Sequence, residues 1–139
     1  MKKMIILGIE TSCDETSASI VKEGKNGQCE ILSNIVHSQI SEHTDYGGVV
    51  PEIAARSHIQ NIDKVVEKSI TESGINLKDL DAIAVTSGPG LKGGLIVGVT
   101  FAKAMASVLK IPILGINHLE GHALTIRMVK NILFPYLLL

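Results

Sequence analysis

Apolar and polar residues are arranged along this chain in a way that predicts several β-strands. Residues 3–10 are apolar and β-branched for most of their length, which is typical of a buried strand. A polar turn and a glycine-containing connection separate the next two strands, so the chain opens with an antiparallel meander. In all, the pattern predicts strands at residues 3–10, 16–21, 29–36, 81–86 and 111–116, and the start of a sixth strand in 132–139.

Three segments between the later strands have helical periodicity. Pro51 suits the first turn of the first helix, and Gly74 is a typical residue to end it. The second helix is predicted at residues 91–109 and carries small residues on one face, which allows close approach to a sheet. The third helix is predicted at residues 117–131.

The order of these elements, βββαβαβα followed by a strand, predicts an α/β fold. An antiparallel meander that leads into right-handed βαβ units gives a mixed sheet with helices on its faces. The length of 139 residues is that of one domain, and 45% hydrophobic residues are enough for an aliphatic core.

Charge and cysteine content exclude several classes of protein. The net charge of −1 does not indicate a strongly basic nucleic-acid binder, and two cysteines give neither a disulfide framework nor a CxxC metal pair. We therefore expect a reducing, cytoplasmic setting. The apolar run before Glu10 is only about six residues, too short for a secretory signal, and no stretch approaches the roughly 20 apolar residues of a membrane span.

The polar segment 38–50 is interpreted as an exposed loop, because it is hydrophilic and ends in two glycines. His37, His43 and His58 lie in or near it but share no metal-ligand spacing. We interpret them as residues of a solvated loop and an exposed helix start. Cys13 and Cys29 are interpreted as small buried or turn residues, since no adjacent base marks either as a nucleophile.

The first candidate site is the polar turn after the first strand. Thr11, Ser12, Asp14 and Glu15 bring hydroxyls and carboxylates to a strand end. Such groups can line a phosphate or nucleotide site, and a carboxylate can move a proton or hold a metal-bound water. The same residue types also favour ordinary hairpin turns through local hydrogen bonds, so both interpretations stay open.

The second candidate site is the connection 87–94 between a strand and a helix. Gly88, Pro89 and Gly90 allow close approach of the backbone to a ligand, and a helix N-terminus favours anions. Lys92 would add a phosphate contact, although the segment is neither a GxGxxG nor a Walker A loop. Tight packing of the helix on the sheet explains the same glycines equally well.

The third candidate site is a pair of histidines, His118 and His122, four residues apart on a predicted helix. Residues at this spacing share one helix face, which suits a divalent metal ion. Glu120 does not follow the first histidine directly, so the HExxH mechanism of metalloproteases does not apply. Asn117 and Glu120 are also placed to form a capping box, and a third metal ligand must come from elsewhere.

Five ordered segments together resemble one family. They are residues 8–16 (GIETSCDET), 37–39 (HSQ), 46–52 (YGGVVPE), 88–91 (GPGL) and 118–122 (HLEGH). On these motifs the chain resembles the TsaD family of tRNA threonylcarbamoyladenosine transferases, once called glycoproteases or O-sialoglycoprotein endopeptidases. The old protease label has no support in the motif at 118–122, because the glutamate is misplaced for that chemistry.

The resemblance implies an actin-like ATPase fold of the ASKHA, ribonuclease H-like class. Residues 1–139 would be the N-terminal lobe, ending at the start of the first strand of a second lobe. The implied reaction transfers threonylcarbamoyl from threonylcarbamoyl-AMP to the exocyclic amine of an adenosine next to the tRNA anticodon.

The resemblance also implies roles for individual residues. His118 and His122 match the family's ligands for one divalent ion, iron or zinc, whose third ligand is an aspartate outside this chain. Asp14 matches an acidic residue near the reacting intermediate, and Glu15 lies beside it. The expected site is thus catalytic Asp14 and Glu15; nucleotide- or substrate-binding Thr11, Ser12, Gly88, Pro89 and Gly90; and metal-binding His118 and His122.

The implied partners are tRNA, threonylcarbamoyl-AMP, and a TsaB-like paralogue, which docks mainly through helices, with the other members of its complex; no membrane is implied. Because the second lobe supplies part of the site, we expect the chain alone to be inactive, with apolar surface left exposed. The alternative is a non-catalytic lobe that serves as a binding module for the TsaB-like partner.

Overall fold

The computed structural model describes residues 3–25, 28–130 and 132–137, and a mixed five-stranded sheet lies at its centre. The strands lie in the order β3-β2-β1-β4-β5, with β1, β2 and β3 antiparallel and with β4 and β5 parallel to β1. Their bounds are β1 Ile5–Glu10, β2 Glu15–Glu23, β3 Cys29–Ser38, β4 Ala82–Gly88 and β5 Ile113–Asn117. The predicted α/β fold with a mixed sheet is confirmed.

The three predicted helices are found in the predicted order, and a short helix that was not predicted precedes them. The helices are α1 Ile40–His43, α2 Pro51–Ser73, α3 Lys92–Leu109 and α4 His118–Val129. Pro51 stands in the first turn of α2, and Gly74 ends this helix in the left-handed conformation at φ 72°. The predicted helix bounds are therefore correct to within a few residues.

The core lies between one face of the sheet and helices α2 and α3. Alternate residues of β1 point into it, so that Ile5, Leu7 and Ile9 are buried while Gly8 and Glu10 face the opposite side. The helices contribute mainly small and β-branched side chains to this core: Ile62, Val65, Val66, Ala102 and Ala106. The face of β1 and β2 that α2 and α3 do not cover is left for the site.

The small residues of α3 let this helix approach the end of β1 closely. Gly94, Gly98, Ala102 and Ala106 form its buried face, as predicted. A Cβ atom at Gly98 would lie 2.2 Å from Oγ1 of Thr11, and one at Gly94 would lie 2.2 Å from the Thr11 carbonyl oxygen. Gly94 and Gly98 therefore serve the close packing of α3 against the end of β1.

Within the described residues, α3 is also the one helix that is long and apolar enough to cross a membrane, judged by length and composition alone. Its mean hydropathy is 1.4 over 18 residues. Core helices of globular domains often have the same property, and α3 contacts both α2 and β4. The hydropathy of α3 is thus weak support for a membrane span.

The interpretation of residues 38–50 as an exposed loop is wrong in part. The segment contains α1 and a 3-10 turn at Thr44–Tyr46, and it buries the side chains of Gln39 and His43. The interpretation of His58 as part of an exposed helix start is wrong as well, because His58 faces the sheet from α2 and is fully buried. The segment is hydrophilic, so its sequence did not indicate burial. Its polar groups can be buried because they hydrogen-bond to one another.

The sixth strand is not found in residues 132–137, and 138–139 lie outside the described residues. After α4 the chain turns back along the helix. The hydroxyl of Tyr136 donates a hydrogen bond to the Ala123 carbonyl, and the Phe134 ring lies under the Arg127 guanidinium at 5.3 Å. These contacts with α4 replace the predicted strand pairing.

Candidate functional site

A cavity of about 500 Å³ lies on the sheet face that α2 and α3 leave uncovered. It extends from the ends of β1 and β4 along β2 and reaches the first turns of α4. The ionisable and hydroxyl groups that line it include Glu10, Ser12, Asp14, Glu15, Thr86, His118 and His122. The carboxyl ends of parallel strands thus meet the start of a helix, where α/β folds commonly bind ligands.

Glu10, the last residue of β1, organises this cavity. One carboxylate oxygen accepts hydrogen bonds from the Thr86 hydroxyl and from Nδ1 of His118, the latter at 3.2 Å. The other oxygen accepts a hydrogen bond from the backbone amide of Ser12. Burial by itself raises the pKa of Glu10, but hydrogen bonding with the Ser12 hydroxyl, the Thr86 hydroxyl, the Ser12 amide and His118 outweighs burial and holds its pKa below the ordinary value. The carboxylate is therefore ionised at neutral pH.

The two histidines of α4 converge at the mouth of the same cavity. Asn117 caps the helix by accepting hydrogen bonds from the amides of Leu119 and Glu120 at 2.9 and 3.2 Å. The cap fixes the first turn, from which His118 and His122 project on one face. Their Nε2 atoms are 3.1 Å apart, and their ring centroids are 4.5 Å apart.

The geometry of this pair fits two ligands of one divalent ion. Because the ionised Glu10 can only accept, Nδ1 of His118 carries a proton, and in the neutral ring the lone pair is then on Nε2. A carboxylate behind a histidine in this way is the usual support of a metal ligand. Metal–nitrogen bonds of about 2.0–2.1 Å allow both Nε2 atoms to reach one ion. Within residues 3–25, 28–130 and 132–137, no group of three or more candidate ligands occurs.

The polar turn between β1 and β2 divides its residues between the core and the cavity. The Thr11 side chain is buried and its hydroxyl donates to the Gly94 carbonyl at 2.8 Å, so this hydroxyl faces α3. The Ser12 hydroxyl lies 3.2 Å from Nδ1 of His118. Asp14 is half-buried and Glu15 is exposed, and both border the cavity.

The segment 88–90 packs against the back of that turn. A Cβ at Gly90 would lie 2.7 Å from the Ser12 carbonyl oxygen, and the Leu91 amide donates to the same oxygen at 2.7 Å. Gly88, Pro89 and Gly90 are absent from the described cavity lining. The structure therefore brings Ser12, Asp14, Glu15, His118 and His122 together, whereas Thr11, Gly88, Pro89 and Gly90 lie beside them. Their binding role stays a prediction.

Sequence reasoning missed two groups near the cavity. Glu10 was passed over although it ends a buried strand at a position that alternates with the core residues. His58 was interpreted as part of an exposed helix start, although Ala54, His58 and Ile62 follow one another at four-residue intervals on α2. Alternation in the strand and helical spacing on α2 were the signals that could have found them.

Comparison with known proteins gives consistent matches in sequence. A family model described as TsaD, tRNA N6-adenosine threonylcarbamoyltransferase, matches residues 30–139. A curated relative with that name from Brucella canis is 56% identical over 136 residues, which cover 98% of this chain and 38% of the relative. One from Chelativorans sp. is 58% identical over 134 residues, covering 96% of this chain and 37% of the relative. The chain thus spans well under half the length of these relatives.

Solved structures match in fold. YeaZ from Pseudomonas aeruginosa has a TM-score of 0.60 at 20% identity, covering 82% of this chain and 43% of YeaZ. RuvC from T. thermophilus, solved with a Holliday junction substrate, has a TM-score of 0.50 at 12% identity, covering 88% of this chain and 70% of RuvC. At such identities the likeness concerns fold alone, and it confirms the actin-like, ribonuclease H-like class.

Proposed function

Because this chain belongs to the TsaD family, we propose that it is the N-terminal lobe of a tRNA N6-adenosine threonylcarbamoyltransferase. The observation that carries the proposal is the single cavity that holds Asp14, Glu15, His118 and His122 together. The chain spans 38% of the Brucella relative, so the proposal assigns the rest of the site to a second lobe.

The proposed reaction is an acyl transfer. The exocyclic amine of an adenosine beside the tRNA anticodon attacks the carbamoyl carbon of threonylcarbamoyl-AMP. The bond from that carbon to the phosphate oxygen breaks, and AMP leaves with the electron pair. The Asp14 carboxylate takes the proton that the amine gives up, and Glu15 borders the same cavity as a second carboxylate.

His118 and His122 are the residues that would hold a divalent ion, iron or zinc, with a third ligand from the second lobe. When bound, such an ion stabilises negative charge that develops on the acyl donor. Glu10 keeps the proton on Nδ1 of His118 and so presents Nε2 toward the cavity. Ser12 would border the bound donor, while Thr11 and segment 88–90 support the turn from behind.

We also propose a TsaB-like paralogue as the partner and the cytoplasm as the location, where tRNA is available. Two large apolar side chains on the outer surface of the α2–α3 layer support a helical docking surface. Ile59 on α2 is 63% exposed, and Ile96 on α3 is 61% exposed. A membrane has no place in this proposal.

The proposal is tested in the full-length protein that carries this lobe, with its partners, tRNA and threonylcarbamoyl-AMP. Modified adenosine is measured by mass spectrometry of the digested tRNA. Asp14→Asn should lower the rate by about 10²–10⁴-fold, because the amide cannot accept the proton. Glu67→Gln is the matched control, because Glu67 lies on the exposed surface of α2.

Metal content gives a second, independent measurement. The variant His118→Ala/His122→Ala should lose the bound ion, whereas Asp14→Asn should keep it. If Asp14→Asn transferred threonylcarbamoyl at the wild-type rate with the ion in place, the role given to Asp14 would be wrong. If wild-type protein produced no modified adenosine under any condition, the proposed function itself would fail.

A further inference from the structure

A group of buried polar side chains lies behind the turn 11–15, on the side away from the cavity. Gln39 and His58 are both 0% exposed, and His43 is 5% exposed. None of the three is part of the cavity lining, and the proposed reaction makes no use of them. Buried polar groups are costly unless they are paired, so their hydrogen bonds should reveal what they do.

The first hydrogen bonds fix the state of His43. The backbone amide of Val50 can only donate, and it lies 3.3 Å from Nδ1 of His43. Nδ1 is therefore the acceptor, and the proton of the neutral ring is on Nε2. This Nε2 donates to Oε1 of Gln39 at 3.3 Å, which leaves the amide nitrogen of Gln39 free to donate onward.

The next hydrogen bonds fix the state of His58. Nε2 of Gln39 donates to Nδ1 of His58 at 3.3 Å, and Nε2 of His58 lies 3.0 Å from the Cys13 carbonyl oxygen. A carbonyl can only accept, so the His58 proton is also on Nε2. The hydroxyl of Thr16 lies 2.7 Å from Nδ1 and adds a second donor there. From Val50 to Cys13 the donors thus all point in the same direction.

A second contact joins the same group to the next residue of the turn. The backbone amide of Gln39 donates to the Asp14 carbonyl at 3.0 Å. Two consecutive carbonyls, those of Cys13 and Asp14, are therefore held from behind by His58 and Gln39. The Asp14 side chain, which the same backbone carries, borders the cavity on the other side.

We propose that His58 is a positioning residue, which sets the Asp14 carboxylate in the cavity by holding the backbone of the turn through the Cys13 carbonyl. Through its hydrogen bonds, Gln39 connects the segment that runs from Gln39 to Val50 with the same turn. The catalytic consequence rests on the proposed function, whereas the directed hydrogen bonds do not. If His58 had only a packing role, any side chain that fills this space would be enough. A positioning role also requires a hydrogen-bond donor where Nε2 of His58 lies.

Two substitutions separate these requirements. His58→Gln places an amide group where Nε2 lies and keeps the donor to Cys13. The asparagine side chain in His58→Asn is one bond shorter, so its amide group reaches only the position of Nδ1 and cannot donate to Cys13. In the full-length transferase, His58→Asn should lower kcat by about 10-fold or more with little change in KM, because a small displacement of a reacting group is enough for such a loss. His58→Gln should retain most of kcat.

Thermal unfolding of both variants is the control for stability. If both lost kcat equally, in proportion to their loss of stability, His58 would be structural and the proposal would be overturned. If His58→Asn did not fold, nitrogen-15 NMR of histidine-labelled full-length protein would decide, with His58 assigned by the signal missing in His58→Gln. A proton on Nε2 supports the proposal, and a proton on Nδ1 overturns it.

Gln39→Glu provides a test that needs no activity. The change replaces the donor to Nδ1 of His58 with a carboxylate that can only accept. With the carboxylate ionised, His58 takes a second proton to keep both hydrogen bonds, and NMR should then show protons on both ring nitrogens; with the carboxyl protonated, its O–H replaces the lost donor and His58 keeps its single proton on Nε2. A His58 with a proton on Nδ1 and none on Nε2 in this variant would contradict the directed hydrogen bonds, whether or not the transferase assay succeeded, because the Cys13 carbonyl would then lack its donor.

Discussion

At the residue scale, Glu10 connects three parts of the structure that are distant in sequence. Its carboxylate accepts hydrogen bonds from the turn after β1, from β4 and from α4. Each donor would otherwise lose its acceptor in a partly buried setting, where an unpaired polar group is costly. A single side chain thus holds the two strand ends and the first histidine of α4 in one arrangement.

We predict that Glu10→Gln destabilises the protein by about 1–3 kcal/mol, because the amide group of glutamine turns one acceptor into a donor that faces other donors. The free energy of unfolding in urea measures this effect. Glu67→Gln, the exposed control on α2, should change it by less than about 0.5 kcal/mol. An equal effect of both variants would show that Glu10 does not organise the site.

His58 gives a prediction for pH. Burial lowers the pKa of His58, so the unfolded chain takes up a proton at this residue at a higher pH than the folded protein does. The free energy of unfolding should therefore fall as the pH drops below about 6.5, until His58 also becomes protonated in the folded state. Urea unfolding at a series of pH values measures the slope.

The matched variants for this slope are His58→Gln and His37→Gln. His58→Gln removes the buried group and should flatten the pH dependence. His37→Gln removes a histidine whose side chain is 40% exposed, so it controls for the loss of one imidazole. An unchanged slope in His58→Gln would assign the pH dependence to other groups.

At the element scale, α3 can lie close to the end of β1 because glycines stand at the points of contact. Thr11 occupies the space that a Cβ at Gly98 would need, since the two would be 2.2 Å apart. By contrast, nothing lies within 4 Å of a Cβ built on Gly121 of α4. The same residue type is thus required in one helix and replaceable in the other.

We predict opposite effects of the same substitution in these two helices. Gly98→Ala should destabilise the protein by about 1–3 kcal/mol, because α3 must move away from the end of β1. Gly121→Ala should stabilise it by about 0.5–1 kcal/mol through the higher helix propensity of alanine. Thermal and urea unfolding measure both, and a neutral Gly98→Ala would mean that the helix is free to shift.

The elements themselves were largely predictable, because strand alternation and helix ends are local properties of the sequence. Pro51 and Gly74 marked the ends of α2 correctly. The burial of Gln39 was not predictable in the same way, because its partners lie elsewhere in the chain and only folding brings them together. For the same reason the spacing of His118 and His122 indicated a shared face but not the carboxylate of Glu10 behind it.

At the scale of the whole molecule, the buried apolar residues are unevenly distributed. Those in the described part of the chain lie between Ile5 and Ala106. In contrast, β5 and α4 contain no fully buried residue within the described structure. Several large apolar side chains there are exposed instead, among them Leu114, Leu119, Leu124 and Val129. The histidine pair therefore lies on the part of the molecule with the least core of its own.

We predict that amide hydrogen exchange in this 139-residue chain is faster in α4 than in β1 and α2. Segments with few buried contacts open at a lower free energy than the core. Exchange monitored by mass spectrometry on peptides from each element measures the difference. Equal protection of α4 and β1 would show that surface contacts alone hold α4 as firmly as the core holds the strands.

The lack of buried residues in α4 has a thermodynamic consequence for its two histidines. An ion that binds His118 and His122 only when α4 is ordered must favour the ordered helix. By linkage, whatever orders α4 from outside, such as a second lobe that covers its apolar face, raises the affinity for the ion by the same factor. Under the proposed function, metal uptake and the covering of α4 would therefore be linked, and an ion bound by the two histidines would report whether the lobes have come together.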